Sequence, residues 1–408
     1  MHRIIVLAGI VLLGAPPAPA QPAEPSPALA LTWEGALERA RQSAPAIVAA
    51  RLRIEEARGR LAGASLPFST NPSIELEAGR RSGATSSAEY GLAVAHDLEL
   101  PRRRHARIEA ANAGVLQEEQ RARGVERETL RDVATAFLRA LESRERADAA
   151  VTGRQLAEEA LQIAERRYRA GDVAQLDVNL ARTAVAQAAA DVRIAHATLT
   201  GRVTQLQILL GIAEPITPAG SLREMPSRPP EDLVARAADR SDLRLLDAEI
   251  AEAEAEQRLA RTLRWPDFGV RASYAKEEGD RVFLGGVGLT LPIFQRGQEA
   301  TAIAHARLAR LRAERDALTR TIEADVRGAV ATFETLRAAV AAYEQAVLPL
   351  IEENERLALE SYDVGQIGLA DLLLVRREAL DARRSLIDQL IETRLAEVEL
   401  RVKAGVWK

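Results

Sequence analysis

One stretch of this chain occurs twice, and no other feature of the sequence limits the possible folds as much. Tyr168, Gly171, Asp177 and Arg182 recur as Tyr362, Gly365, Asp371 and Arg376, every pair 194 residues apart. Pro72 and Pro266 share that separation. Leu98, Leu100 and Pro101 recur as Leu289, Leu291 and Pro292 at 191, as unequal loops between the motifs would produce. So many matches in one order define two structural copies, expected over 31–224 and 225–404, with the join in the proline-rich stretch Pro215–Pro230. A two-copy solenoid is the plainer reading, but solenoids are normally built from three or more shorter units.

Each copy runs through the same series. A helix opens it, over Trp33–Gly63 and over Pro230–Arg264. Two extended segments follow, expected at about 72–80 and 89–100 in copy one and about 267–276 and 281–291 in copy two. Ile74, Leu76 and Ala78 alternate with Ser73, Glu75 and Glu77, and Tyr90, Leu92 and Val94 alternate with Glu89, Gly91 and Ala93. Phe268, Val270, Ala272 and Tyr274, then Phe283, Gly285, Val287, Leu289 and Leu291, keep the same period of two. Each copy thus makes one hairpin, turning at Arg80–Ser87 and at Glu277–Asp280. Two readings fit strands that are apolar on one face. The hairpins are soluble and covered by helices, or they cross a membrane in a barrel with lipid outside and water inside. Strands of roughly 9–11 residues suit a tilted crossing. Four strands are too few to close a barrel, so the second reading requires several chains.

Prolines 67, 72, 101, 266 and 292 mark the joints between strands and helices, because proline cannot donate to a ladder and holds its predecessor extended. None falls between Arg102 and Arg167, a stretch on the order of 100 Å long if helical throughout. Leu130, Ala134, Phe137 and Leu141 form a narrow apolar stripe there, and Val192, Leu199, Val203, Leu206 and Leu210 form another on the returning helix. Pro349 is expected to loosen or kink the last long helix before the second Tyr-x-x-Gly turn. Aromatic residues make up only 3%, few for several compact cores but enough for Ala-rich helix seams.

Met1–Arg3, the apolar run Ile4–Leu13 and Ala18-Pro19-Ala20 have the order of a secretory signal peptide, 1–20, cut after Ala20. A proline-rich leader is expected over 21–30. The absence of cysteine excludes disulfides, thiol catalysis, thiolate metal sites and lipid attachment at an N-terminal cysteine. Lys+Arg 55 against Asp+Glu 59 leaves no basic surplus for nucleic acid. No carboxylate pair stands in a catalytic context, and Gly285, Gly286 and Gly288 lie in strand-like surroundings rather than in a phosphate loop, so neither an enzyme nor a cofactor is expected. His2, His96, His105, His196 and His305 include no close pair, and Met225 is the sole methionine after Met1, so no metal site is expected within one chain.

Signal peptide, twofold repeat, strand pairs with flanking prolines and Tyr-x-x-Gly turns together resemble the TolC-type outer-membrane efflux proteins, from about Leu29 to Gly405. Gly171–Arg182 and Leu291–Phe294 make the chain most similar to the outer-membrane components of heavy-metal and cation export systems of the resistance-nodulation-division (RND) type. The resemblance implies a mainly α fold with a transmembrane β part. Three chains would form a twelve-stranded outer-membrane β-barrel continued by a periplasmic α-helical barrel. It also implies two partners, a periplasmic adaptor protein at the helical tip and an inner-membrane RND-type pump. The chain would then be a passive exit duct for metal cations or drugs. The other class of function is a soluble periplasmic coiled-coil adaptor or scaffold without a channel.

The two helix turns are the candidate sites. Gly171 and Gly365 permit the left-handed backbone where one helix ends and the next begins, which a bare helix–helix turn already explains. The resemblance implies that Gly171, Asp172, Val173, Ala174 and Gly365, Gln366, Ile367, Gly368 dock the adaptor, with Val173 and Ile367 as exposed apolar contacts. It implies further that acidic residues just inside the tip line a constriction. Asp177 and Asp371 match that pattern, with Arg182, Arg376, Tyr168 and Tyr362 beside them, whereas Leu374 departs from it where some relatives are acidic. A ring of such carboxylates attracts cations and repels anions; the plainer reading is a surface Asp paired with a neighbouring Arg.

Overall fold

The computed structural model describes residues 29–82, 86–224, 233, 237, 240–277 and 280–406. The expected signal peptide, the leader over 21–28, the centres of both hairpin turns and the repeat join at 225–230 lie outside these residues. The elements are β1 Leu29–Leu31, α1 Trp33–Ser43, α2 Pro45–Ala64, β2 Ser73–Arg81, β3 Ser87–Leu98, α3 Pro101–Ala170, α4 Gln175–Leu210, β4 Ile216–Pro218, α5 Ser241–Thr262, β5 Asp267–Glu277, β6 Asp280–Thr290, α6 Gln298–Ala346, α7 Leu348–Asp363 and α8 Leu369–Lys403.

Three expectations need correction. The opening helix Trp33–Gly63 is two helices, because Pro45 holds Ala44 out of helical geometry at ψ 125°. In copy two Leu233 and Ala237 are helical, but extended Arg240 (φ −62°, ψ 145°), its guanidinium 2.6 Å from Asp242, breaks the expected single helix before Ser241. Leu29 and Ala30, placed in the leader, pair in parallel with Ile216 and Thr217, so the N-terminal segment is strapped to the chain between the copies. Pro349 acts as expected: α6 and α7 separate at Val347, two residues before it.

Helix α3 is continuous for 70 residues and is the axis of the molecule. Toward the sheet it is flanked by α2 and α5, with α6 against α5; toward the other end it is flanked by α4 and α8, with α7 against α8 and, at Tyr362, against α3 itself. The main core lies between, where Val133, Phe137 and Leu138 of α3 pack with Leu37, Ile47, Leu206, Leu210, Ile216, Leu390 and Ile391. Trp33 meets Phe137 edge-on at 5.9 Å. The anticipated stripe Leu130, Ala134, Phe137, Leu141 is wholly buried, and nearer the first turn Ala160, Ile163 and Ala164 are buried too.

The four long strands form one antiparallel sheet in the order β2-β3-β5-β6, their ends within two residues of the expected positions. Leu92 stands opposite Leu76 and Tyr274, and Phe268 opposite Leu98 and Leu289. Directly opposed residues share a face, so every apolar position of the alternation falls on one side. That side is bare: Leu76 is 80% exposed, Phe283 75% and Val287 77%. The hairpins are therefore not covered by helices. Glu75 and Arg271 pair at 2.9 Å on the opposite, polar face. Among the described residues, strands β2 and β6 have no outer neighbour. No described helix is long and apolar enough to cross a membrane.

Candidate functional site

Both helix turns have the same backbone. Gly171 takes φ 87° and donates to the Tyr168 carbonyl at 3.0 Å, while the Asp172 N–H reaches the Arg167 carbonyl at 2.9 Å. Gly365 takes φ 79° and donates to the Tyr362 carbonyl at 3.1 Å, while the Gln366 N–H reaches the Ser361 carbonyl at 2.8 Å. This double closure with a left-handed residue stops a helix cleanly, and glycine has no Cβ to oppose it. The next helices start after extended Ala174 and Gly368. Asp371 accepts the Gly368 N–H at 3.1 Å, so its carboxylate caps its own helix. Asp177, at the matching place, is half-buried and its charge acts on Tyr362.

Side chains at the turns differ from expectation. Asp172, Ala174, Gly365, Gln366 and Gly368 are exposed, but Val173 and Ile367 are half-buried. Ile367 packs against the core cluster that includes Ile163, Tyr362, Leu369 and Leu372. Apolar side chains that do face outward at this end include Val364, 69% exposed, Leu176, 64% exposed, and Leu374, 57% exposed. Val364 falls seven residues after Leu357 and fourteen after Leu350, both exposed as well, a spacing visible in the sequence.

The aperture candidates fall into two groups. Tyr362 is fully buried; Arg167 of α3 donates to its carbonyl at 2.9 Å and holds its guanidinium 5.0 Å from the ring centroid. Burial pushes the Tyr362 phenol up, the Asp177 charge adds to this, and Arg167 opposes it. Arg376 is also buried and donates to the Leu156 carbonyl and, at 3.1 Å, to Glu159. Burial holds its pKa below the ordinary arginine value, against the pull of Glu159. Tyr168 is instead 44% exposed, and Arg182 reaches Glu165 at 2.9 Å in an open ion pair. Tyr168, Arg182 and Asp371 are at the surface, Asp177 partly so, while Tyr362 and Arg376 tie α7 and α8 to α3 from inside. Among the described residues, no group of three or more His, Asp or Glu side chains is placed to hold a metal ion.

A sheet apolar on its outer side, long helices and two capped turns at their far end are the parts of an outer-membrane efflux channel subunit. The chain belongs to the outer membrane efflux protein family, whose model matches residues 36–212 and 234–406. It is 29% identical over 366 residues to the cobalt-zinc-cadmium resistance protein CzcC of Cupriavidus metallidurans, covering 86% of this chain and 85% of that one. It is 26% identical over 347 residues to the solvent efflux pump outer membrane protein SrpC of Pseudomonas putida, covering 79% and 72%. Its fold matches crystal structures of CusC, with a TM-score of 0.76 at 18% identity over 95% of this chain and 99% of that one. It likewise matches the Campylobacter jejuni CmeC outer membrane channel, with a TM-score of 0.74 at 16% identity over 91% and 85%.

Proposed function

We propose that three copies of this chain form the exit duct of a tripartite efflux system, a passive path through the outer membrane for metal cations delivered by an inner-membrane pump through a periplasmic adaptor. The observation that carries this reading is that the chain is unfinished at both of its edges. β2 and β6 leave their ladders open, and an open edge beside a bare apolar face is a template for further strands. The helical layer is open in the same way. Leu350, Leu357 and Val364 make an exposed stripe at intervals of seven on the α7 side, and Leu180, Ile194 and Ile208 make one at intervals of fourteen on α4. These are coiled-coil spacings on side chains that the chain itself leaves exposed. A ring of copies satisfies sheet and helices together. A soluble adaptor would leave the apolar sheet face in water.

The likeness to a cobalt-zinc-cadmium resistance protein favours metal cations as cargo, and the somewhat lower identity to a solvent efflux protein favours organic cargo less. Cargo selection belongs mainly to the pump, since a wide duct has no desolvating pocket. The adaptor meets Gly171–Ala174 and Gly365–Gly368, with Val364 and Leu176 as apolar contacts, and Asp177 and Asp371 supply a cation-favouring ring. Native mass spectrometry of the detergent-extracted protein tests the assembly. Three copies are expected; a monomer recovered from a soluble fraction without detergent overturns the duct.

A further inference from the structure

The register of the sheet sorts charge as well as hydrophobicity. On the apolar face one row, Ala78, Tyr90, Lys276 and Arg281, crosses all four strands at the end of the sheet farthest from the helices. Arg80 stands one pair further out on the same face, opposite Ala88. Among the described strand residues, Arg80, Lys276 and Arg281 are the Lys, Arg, Asp and Glu side chains on this face, and all are cations. The carboxylates Glu75, Glu77, Glu89, Asp97, Asp267, Glu277 and Asp280 all fall on the other face.

Two further features single out this rim. Lys276 and Arg281 are directly opposed, and like charges so placed destabilise a sheet unless an anion lies between them. Tyr90 stands in the row itself, its centroid 5.7 Å from the Lys276 ammonium, and Tyr274 and Phe283 lie immediately below with ring centroids 4.8 Å apart. Aromatic rings in such a band mark the edge of the hydrocarbon layer around membrane barrels. Arg80 and Arg281 are exposed and Lys276 is half-buried, so a row of cations lies level with Tyr90 and just outside Tyr274 and Phe283.

We propose that Arg80, Lys276 and Arg281 bind phosphate-bearing lipid headgroups in the leaflet farther from the helices, with Lys276 and Arg281 sharing one phosphate. This rests on the outer-membrane duct reading, which turns the apolar face toward lipid. The binding holds the rim at a fixed depth and relieves the repulsion within the opposed pair.

The test titrates the purified oligomer, in zwitterionic detergent, with diphosphorylated lipid A, with the same lipid after removal of its phosphates, and with inorganic phosphate. Retained lipid is counted by native mass spectrometry. The expected result is binding of the phosphorylated lipid that weakens about 100-fold in the Arg80→Gln/Lys276→Gln/Arg281→Gln variant, on the order of fivefold per cation. Arg271→Gln, on the opposite face, leaves it unchanged. Equal affinity in wild type and variant, equal affinity for the dephosphorylated lipid, or displacement by inorganic phosphate alone would overturn the proposal. If the triple variant does not assemble, Lys276→Gln alone is decisive, with a loss of about fivefold expected. A three-copy conducting oligomer without phosphate preference sinks the rim site only; a soluble monomer sinks the duct reading beneath it.

Discussion

Tyr168 and Tyr362 stand 194 residues apart at matching places before matching glycines, yet the first is 44% exposed and the second has no exposed surface. Arg182 and Arg376 differ in the same way, one in an open ion pair with Glu165, the other buried against Leu156 and Glu159. The backbone of the two turns is nearly the same, so the difference arises in packing. Helix α3 leads into the first turn and also carries Arg167, Glu159 and Leu156, which hold the second. One turn is therefore clamped within the chain. The other leaves its Tyr and its ion-paired Arg at the surface.

Substitution at the tyrosines should separate the turns most. Tyr362→Ala removes a fully buried ring and is expected to cost about 3–5 kcal/mol, whereas Tyr168→Ala should stay within about 0.5 kcal/mol. Denaturant titration of the two variants side by side gives the difference, and equal losses would abolish the contrast. The arginines should follow with a smaller gap. Arg376→Ala loses a buried charge-assisted contact to half-exposed Glu159 and is expected to cost about 2–3 kcal/mol; Arg182→Ala should cost about 0–1 kcal/mol. A loss for Arg182→Ala matching that for Arg376→Ala would mean that Arg182 is also buried once the copies assemble.

Alkaline pH probes the same contrast more gently. Burial and the Asp177 charge raise the Tyr362 pKa in the folded chain. Its stabilisation is therefore complete below the unfolded tyrosine pKa of about 10 and is lost as pH rises beyond it. Tyrosinate absorbance, with the signal assigned by the Tyr362→Phe variant, should show Tyr362 ionising above the ordinary tyrosine range; ionisation within that range would remove the buried clamp. The smallest stability change is expected at the aspartates. Asp371→Ala forfeits a cap worth about 0.3–1 kcal/mol and should raise channel conductance if the carboxylate narrows the path. Unchanged conductance and ion selectivity would leave Asp371 as a cap alone.

Most of the architecture is written in local pattern. Period-two alternation between prolines located all four strands, and the proline-free run located α3, because both signals act within a few residues. The break at Pro45 is hidden in the sequence because the apolar pattern continues on both sides of it. Which turn is clamped was hidden for another reason. Tyr168 and Tyr362 have similar local sequence, and their burial is decided by α3 side chains roughly two hundred residues from the second turn. Val173 and Ile367 looked exposed because turn residues usually are, whereas the heptad through Leu350, Leu357 and Val364 was present in the sequence and marks the open edge.

The central claim is that open sheet and helix edges close into a water-filled duct, and single-channel recording in planar lipid bilayers tests it most directly. The purified oligomer should give discrete, ohmic conductance steps that favour cations over anions. Intact oligomer that inserts into the bilayer yet passes no current under any voltage would contradict it.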